Sequence, residues 1–213
     1  MQQKTKSKLN QGMILKALDY SYEKAINGMP GFDSAQEMAE SYKGNGKTKV
    51  ENCNSLIRWQ NTKATTSGFV TGLGGLLTMP VAIPANLASV IYVQIRMIAA
   101  IAHMGGHDLR DDRVKSLVYV CMAGNTAKDI LKDIGIVVGQ KVSQKMIANI
   151  SGKTITRINQ AIGFRLLTKF GQRGAINLGK AVPLIGGLIG GTFDGVTTNL
   201  IGNTARRTFI NAK

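Results

Sequence analysis

Apolar positions along the chain recur at the three- and four-residue spacing of helices, and strict alternation of the kind that marks strands does not persist anywhere. Ile14, Leu15, Leu18, Tyr22, Ala25 and Ile26 fall on one helical face, and Gly28 with Pro30 predicts a stop after them. Ser34 with Glu37, and Thr48 with Glu51, have capping-box spacing, so each pair predicts the start of another helix. The polar, glycine-rich residues 43–47 between them read as an exposed loop. The helix that opens near Val50 is expected to run through Leu56, Ile57 and Trp59.

Residues 64–95 contain no charged side chain. Pro80 and Pro84 divide the stretch. Its first part, 69–79, is broken by glycine and too short to span a bilayer. The second part, 84–104, is 21 residues long and would make a helix of about 30 Å, ended by Gly105 and Gly106. On that helix Asn86, Ser89, Arg96 and His103 share a narrow stripe with Val93 and Ala100. Almost all the rest is apolar, which fits either a central core helix or a membrane segment.

Asp111 or Asp112 starts a further helix through Leu117, Val118 and Met122. Shorter helices are expected around 126–134, 141–150 and 154–170, punctuated by Gly124, Gly139, Ser151-Gly152 and Gly171. A last apolar run, 181–201, has Asp194 as its single charge. The predicted fold class is all-α. It is a compact multi-helix bundle with one or two very apolar central helices and a Gly-rich C-terminal helix. The expected organisation is a flexible basic N-terminus over 1–12 and one all-helical domain over 13–213.

Charge changes the picture more than size does. The net charge is +15, and residues 134–213 carry eleven Lys or Arg against one acid. A field of one sign favours an anionic partner. Cys53 and Cys121 are far apart and have no CxxC or His-rich companion, so neither a zinc site nor a disulfide framework is expected. Lys4, Lys6 and Lys8 lead into polar residues rather than a signal-peptide core, which leads to a cytoplasmic expectation.

Several segments in order carry a family resemblance. They are Leu56-Ile57-Arg58-Trp59-Gln60-Asn61-Thr62-Lys63-Ala64, Gly72-Leu73-Gly74-Gly75, Met79-Pro80-Val81-Ala82-Ile83-Pro84-Ala85-Asn86, Gly105-Gly106 and Asp111-Asp112-Arg113-Val114. Ala127-Lys128-Asp129-Ile130-Leu131, Gly163-Phe164-Arg165 and the run from Gly186 to Asp194 continue the series. Together they resemble the EcsC family of bacterial proteins over nearly the whole chain after about Leu15. The resemblance implies a bacterial protein at the inner face of the membrane. It brings no catalytic residues to carry over.

Lys153, Arg157, Arg165, Lys169, Arg173 and Lys180 recur every four to eight residues, so several share helix faces. Near an anionic leaflet each such charge is worth about 1 kcal/mol. These residues, with Trp59 as an interfacial anchor beside Arg58 and Lys63, form the expected membrane- or anion-binding set. The alternative is a solvated, salt-screened face. Nucleic acid is the rival anion, but only Phe164 and Phe170 lie among the bases, and both are expected on a core face rather than as stacking platforms.

Gly187, Gly191 and Gly195 recur every four residues, paralleled by Gly186 and Gly190, which predicts a flat face for close helix packing. The packing would be within the bundle or in an oligomer or membrane assembly. Asn86, Gln94 and Arg96 on the apolar helix would be buried and need partners. Asp129, Asp133 and Asp194 are the only acids after Asp112, so one of them is the expected counter-ion of Arg96, and Asp129 and Asp194 are expected among the buried polar residues.

His103, His107, Asp108, Asp111 and Asp112 suggest a metal cluster. However, Gly105-Gly106 interrupts the helix between the histidines and no HExxH glutamate is present, so no metal or other cofactor is expected. Asp129 and Asp133 lie one turn apart, but the Asp129–Lys132 spacing reads as a helix ion pair rather than as part of an acid–base couple. No nucleophile motif or phosphate loop occurs.

The expectation is a non-enzymatic, peripheral, anionic-lipid-binding membrane protein of the EcsC type, with anionic lipids and a membrane or helical protein as partners. The alternatives are a membrane-inserting or pore-forming protein that exposes its apolar helices, and a soluble helical scaffold or lipid- or ligand-binding protein.

Overall fold

The computed structural model describes residues 9–44, 46–65, 83, 85–136, 142–178 and 186–210, with backbone alone treated at 63–65, 85–86, 170–178 and 186–196. Among the described residues there are nine α-helices and no strand: α1 Gln11–Asn27, α2 Ala35–Ser41, α3 Lys49–Thr65, α4 Ala85–Met104, α5 Asp112–Met122, α6 Ala127–Asp133, α7 Gln144–Ala148, α8 Gly152–Leu178 and α9 Gly186–Phe209. The all-α expectation is met.

The helix boundaries follow from local chemistry. Asn10 accepts a hydrogen bond from the Met13 amide and opens α1, a little earlier than the apolar pattern alone suggested. Gly28 ends it at φ 76°, a conformation that a side chain would resist. Both capping boxes form. The Ser34 hydroxyl takes the Glu37 amide while the Glu37 carboxylate takes the Ser34 amide at 2.8 Å, and Thr48 and Glu51 repeat the arrangement. Asp111 caps α5 through the Arg113 amide. Ser143 and Ser151 cap α7 and α8 in the same way.

A later boundary also differs from the sequence reading. The expected stop at Gly171 does not occur, and α8 continues to Leu178. A glycine inside a helix costs about 1 kcal/mol relative to Ala but keeps its N–H, so it weakens the ladder without breaking it.

The apolar helix α4 is the axis of the bundle. Helices α1, α2, α3, α5 and α9 all pack against it, and Ile91, Tyr92, Ile95 and every residue from Met97 to Ala102 are buried. Full burial of each large side chain among them is worth about 1.5–3 kcal/mol, so α4 anchors the fold. Among the described residues Leu87–Met104 is the one stretch long and apolar enough to cross a membrane, and 83% of it is buried inside the bundle.

Polar contacts tie α1 to α5. Tyr119 Oη donates to Asp19 Oδ1 at 2.9 Å, Lys115 pairs with the same carboxylate at 2.6 Å, and Tyr22 Oη donates to the Leu109 carbonyl at 2.7 Å.

Both cysteines lie in this core. Cys53 and Cys121 are buried, and burial pushes each thiol up to about 12. The thiolate is the reacting form, so both are expected to resist a disulfide-exchange reagent in the native protein. They should label at the rate of global unfolding, checked by following thiol release across a denaturant series.

Candidate anion-binding face

Helix α8 carries most of the predicted cations, and its two sides differ sharply. Ile158, Ile162 and Leu166 are buried, and Gly163 brings the helix so close to α1 that an added Cβ would lie 2.8 Å from Gln11 Cγ and 3.2 Å from Leu15 Cγ. Gln11 Nε2 donates to the Gln160 carbonyl at 2.9 Å across the same crossing. Packing against α1 and α5 therefore fixes which side of α8 faces out.

The outward stripe contains Lys153, Arg157, Gln160, Phe164 and Thr168, all exposed and all one helical turn apart. Phe164 is 64% exposed. This corrects the expectation that it sits on a core face. The buried positions Ile158, Ile162 and Leu166 place the core side of α8 about half a turn away from residue 164, so the ring is left outside. Arg165 and Lys169 are half-buried beside the stripe. The side chain of Arg173 and the whole of Lys180 lie outside the described residues.

A cavity of about 500 Å³ runs alongside this stripe between α8, α7 and α6. Arg157 and Arg165 line it together with Asp133, and Ile130, Ile134, Ile150 and Ile158 supply its apolar wall. Among the described residues, no ion pair within 4 Å engages either arginine. The structure thus brings two of the predicted cations together around an apolar hollow, a grouping that sequence spacing did not reveal.

Trp59 is 51% exposed on α3, which packs against α9 and α4. Among the described residues the predicted set is therefore carried on two separate elements of the bundle.

The buried polar stripe of α4 faces α2 and the loop before it. Gln94 and Arg96 are buried as expected, at 2% and 4% exposure, while the Asn86 side chain lies outside those described. Among the described side chains no carboxylate pairs with Arg96. Asp129 was expected to be buried and is exposed on α6, which packs against α5. Asp133 lines the α8 cavity, and the Asp194 side chain is outside the described set.

Arg96 instead donates from Nη1 to the Asp33 carbonyl at 3.1 Å, and its guanidinium carbon lies 5.4 Å and 5.5 Å from the ring centres of Phe32 and Tyr92. Cation–π contact and a backbone carbonyl replace an ion pair. Burial pulls the guanidinium below its ordinary range, opposed by Tyr92. An arginine nonetheless stays charged at neutral pH. One turn pair further along α4, His103 Nε2 lies 3.3 Å from Glu40 of α2.

The residues considered for a metal are used locally. Asp111 caps α5, Asp108 accepts from the Arg110 amide, and His107 packs edge-on against Phe209 at 5.3 Å. Among the described residues no group of three or more His, Cys, Asp or Glu could hold an ion.

Of the predicted glycine face, Gly186, Gly187, Gly190, Gly191 and Gly195 lie on α9, where their surroundings are outside the described residues. The tight contact that is described involves Gly202 on the same helix. An added Cβ there would meet Ile57 Cγ1 of α3 at 2.8 Å.

The fold and face together define a basic, all-helical bundle built around one apolar helix, with a cationic outer helix bearing an exposed aromatic ring. The chain belongs to the EcsC protein family, whose family model matches residues 2–210. Neither curated proteins nor solved structures gave a match.

Proposed function

We propose that the protein is a non-enzymatic peripheral membrane protein that attaches to anionic lipid at the cytoplasmic face through the outer stripe of α8. The observation that carries this reading is Phe164, 64% exposed on the same helix face as Lys153 and Arg157. A large apolar ring held in solvent on a face that also bears cations has the amphipathic character of an interfacial anchor. The surrounding charge supports it, since residues 134–213 hold eleven bases and one acid.

Insertion of α4 is the less favoured alternative. It would require stripping five packed helices from a segment that is 83% buried, whereas α8 needs no rearrangement to meet a surface.

Cosedimentation with vesicles tests the reading. The protein is expected to bind vesicles containing phosphatidylglycerol, to leave phosphatidylcholine vesicles in solution, and to release as salt shortens the screening length from about 10 Å at 0.1 M to 3 Å at 1 M. Equal binding to both compositions, or retention in high salt, would contradict it.

A further inference from the structure

The hollow beside the stripe has a composition that a membrane-docking surface alone does not require. Its volume of about 500 Å³ falls within the range of about 300–1,000 Å³ typical of small-molecule sites. One wall is built from isoleucines of α6, α8 and the end of α7, and Met146 of α7 adds a flexible apolar surface. Arg157 and Arg165 border this wall, eight residues apart on α8, which is about 12 Å along the axis. Two extended guanidinium groups can converge from that separation on one small anion, each offering a fork of donors.

The charge balance is specific. Two arginines and Asp133 leave an excess of positive charge, which an anionic head group would answer. Asn149, and Thr154 in the first turn of α8, add polar contacts at the same cavity. An apolar wall bordered by cations that have no ion-pair partner among the described residues fits a ligand with an anionic head and a hydrocarbon tail. A hydrophilic anion would leave the isoleucines uncovered, and a neutral lipid would leave the arginines unanswered.

We infer that this cavity binds one single-chain anionic amphiphile, its chain against the isoleucine wall and its head held by Arg157 and Arg165. Where the α8 stripe meets a bilayer, the site would take its ligand from that surface. This last step rests on the proposed membrane attachment; binding of the free amphiphile does not. The cavity would then act as a lipid-recognition site rather than a general adhesive patch.

Titration calorimetry below the micelle concentration separates the components. The full chain is expected to bind dodecyl phosphate in a one-to-one complex, and inorganic phosphate and dodecyltrimethylammonium at least about tenfold more weakly, as losing the chain contact or a charge-assisted hydrogen bond implies. Ala161→Phe, which fills the cavity from α8, and Arg165→Glu, on its half-buried edge, should each lower the affinity by about tenfold or more. Arg165→Glu serves as the second probe should the larger side chain disturb folding, which far-ultraviolet circular dichroism would reveal.

The two claims fail separately. Ala161→Phe should still sediment with phosphatidylglycerol vesicles, and a Lys153→Glu/Phe164→Ser double variant should lose vesicle binding yet still take dodecyl phosphate. Equal affinity for dodecyl phosphate and inorganic phosphate, equal affinity for the cationic amphiphile, or undiminished binding by folded Arg165→Glu would each overturn the cavity site.

Discussion

The triple variant Lys153→Glu, Arg157→Glu, Phe164→Ser is expected to lose vesicle binding by about a thousandfold or more while keeping its helical spectrum and melting temperature. Near an anionic surface each base contributes about 1 kcal/mol, so two losses and two introduced acids sum to about 4 kcal/mol, or nearly three decades in affinity. Removing the aromatic ring adds to that. Stability should hold because all three side chains are exposed and none enters the buried face formed by Ile158, Ile162 and Leu166. Exposed substitutions of this kind usually change stability by no more than about 0.5 kcal/mol. Cosedimentation with phosphatidylglycerol vesicles, read beside a thermal melt, checks both halves. Unchanged vesicle binding by the folded variant would remove α8 from the account.

Gly202→Leu is expected to cause the largest loss of stability of any single change considered. Helices α9 and α3 approach so closely that a Cβ at residue 202 would lie 2.8 Å and 3.1 Å from two Ile57 carbons, inside ordinary contact distance. Ile57 is itself buried against the core, so it has little room to move. Overpacking of this kind costs about 1–3 kcal/mol, and a branched side chain belongs at the upper end. A loss of about 3 kcal/mol lowers the melting temperature by about 6–12 °C for a chain of this size. A cycle with Gly202→Ala and Ile57→Ala tests the cause. The double variant should be less destabilised than the sum of the singles, because each relieves the other's defect. Strict additivity would mean that the two positions are not in conflict.

The parts of this fold that were legible in the sequence are those written in local chemistry. Ser34-Glu37 and Thr48-Glu51 announce helix starts because both halves of each capping box lie three residues apart. The run from Ala85 to Met104, apolar but for a narrow polar stripe, marks the bundle axis because no other place suits a helix apolar on nearly all sides.

What was misread depended on packing. Phe164 looked like a core residue by type, yet the register set by Ile158, Ile162 and Leu166 turns it outward. Projection of the helix would have found it. The partner of Arg96 could not be read in the same way. The group that accepts from it is the Asp33 carbonyl, and every residue carries a carbonyl. The grouping of Arg157, Arg165 and Asp133 around one hollow depends on how α6 and α7 meet α8, which residue spacing along one helix does not encode. Gly202 lies two helical turns beyond Gly195, so the predicted glycine face leads towards the α3 contact, but only the position of Ile57 identifies where the close approach falls.

The most direct test places a reporter at the proposed anchor. Trp59 is the only tryptophan, so the Trp59→Phe, Phe164→Trp protein carries its single tryptophan on the α8 stripe, where it can be excited selectively. With vesicles of phosphatidylglycerol and brominated phosphatidylcholine, its emission is expected to shift to the blue and to be quenched by the bromine atoms. Both changes should reverse in high salt, and vesicles of brominated phosphatidylcholine alone should produce neither. Binding to the anionic vesicles with no quenching at residue 164 would contradict the account, because the protein would then meet the membrane through another face.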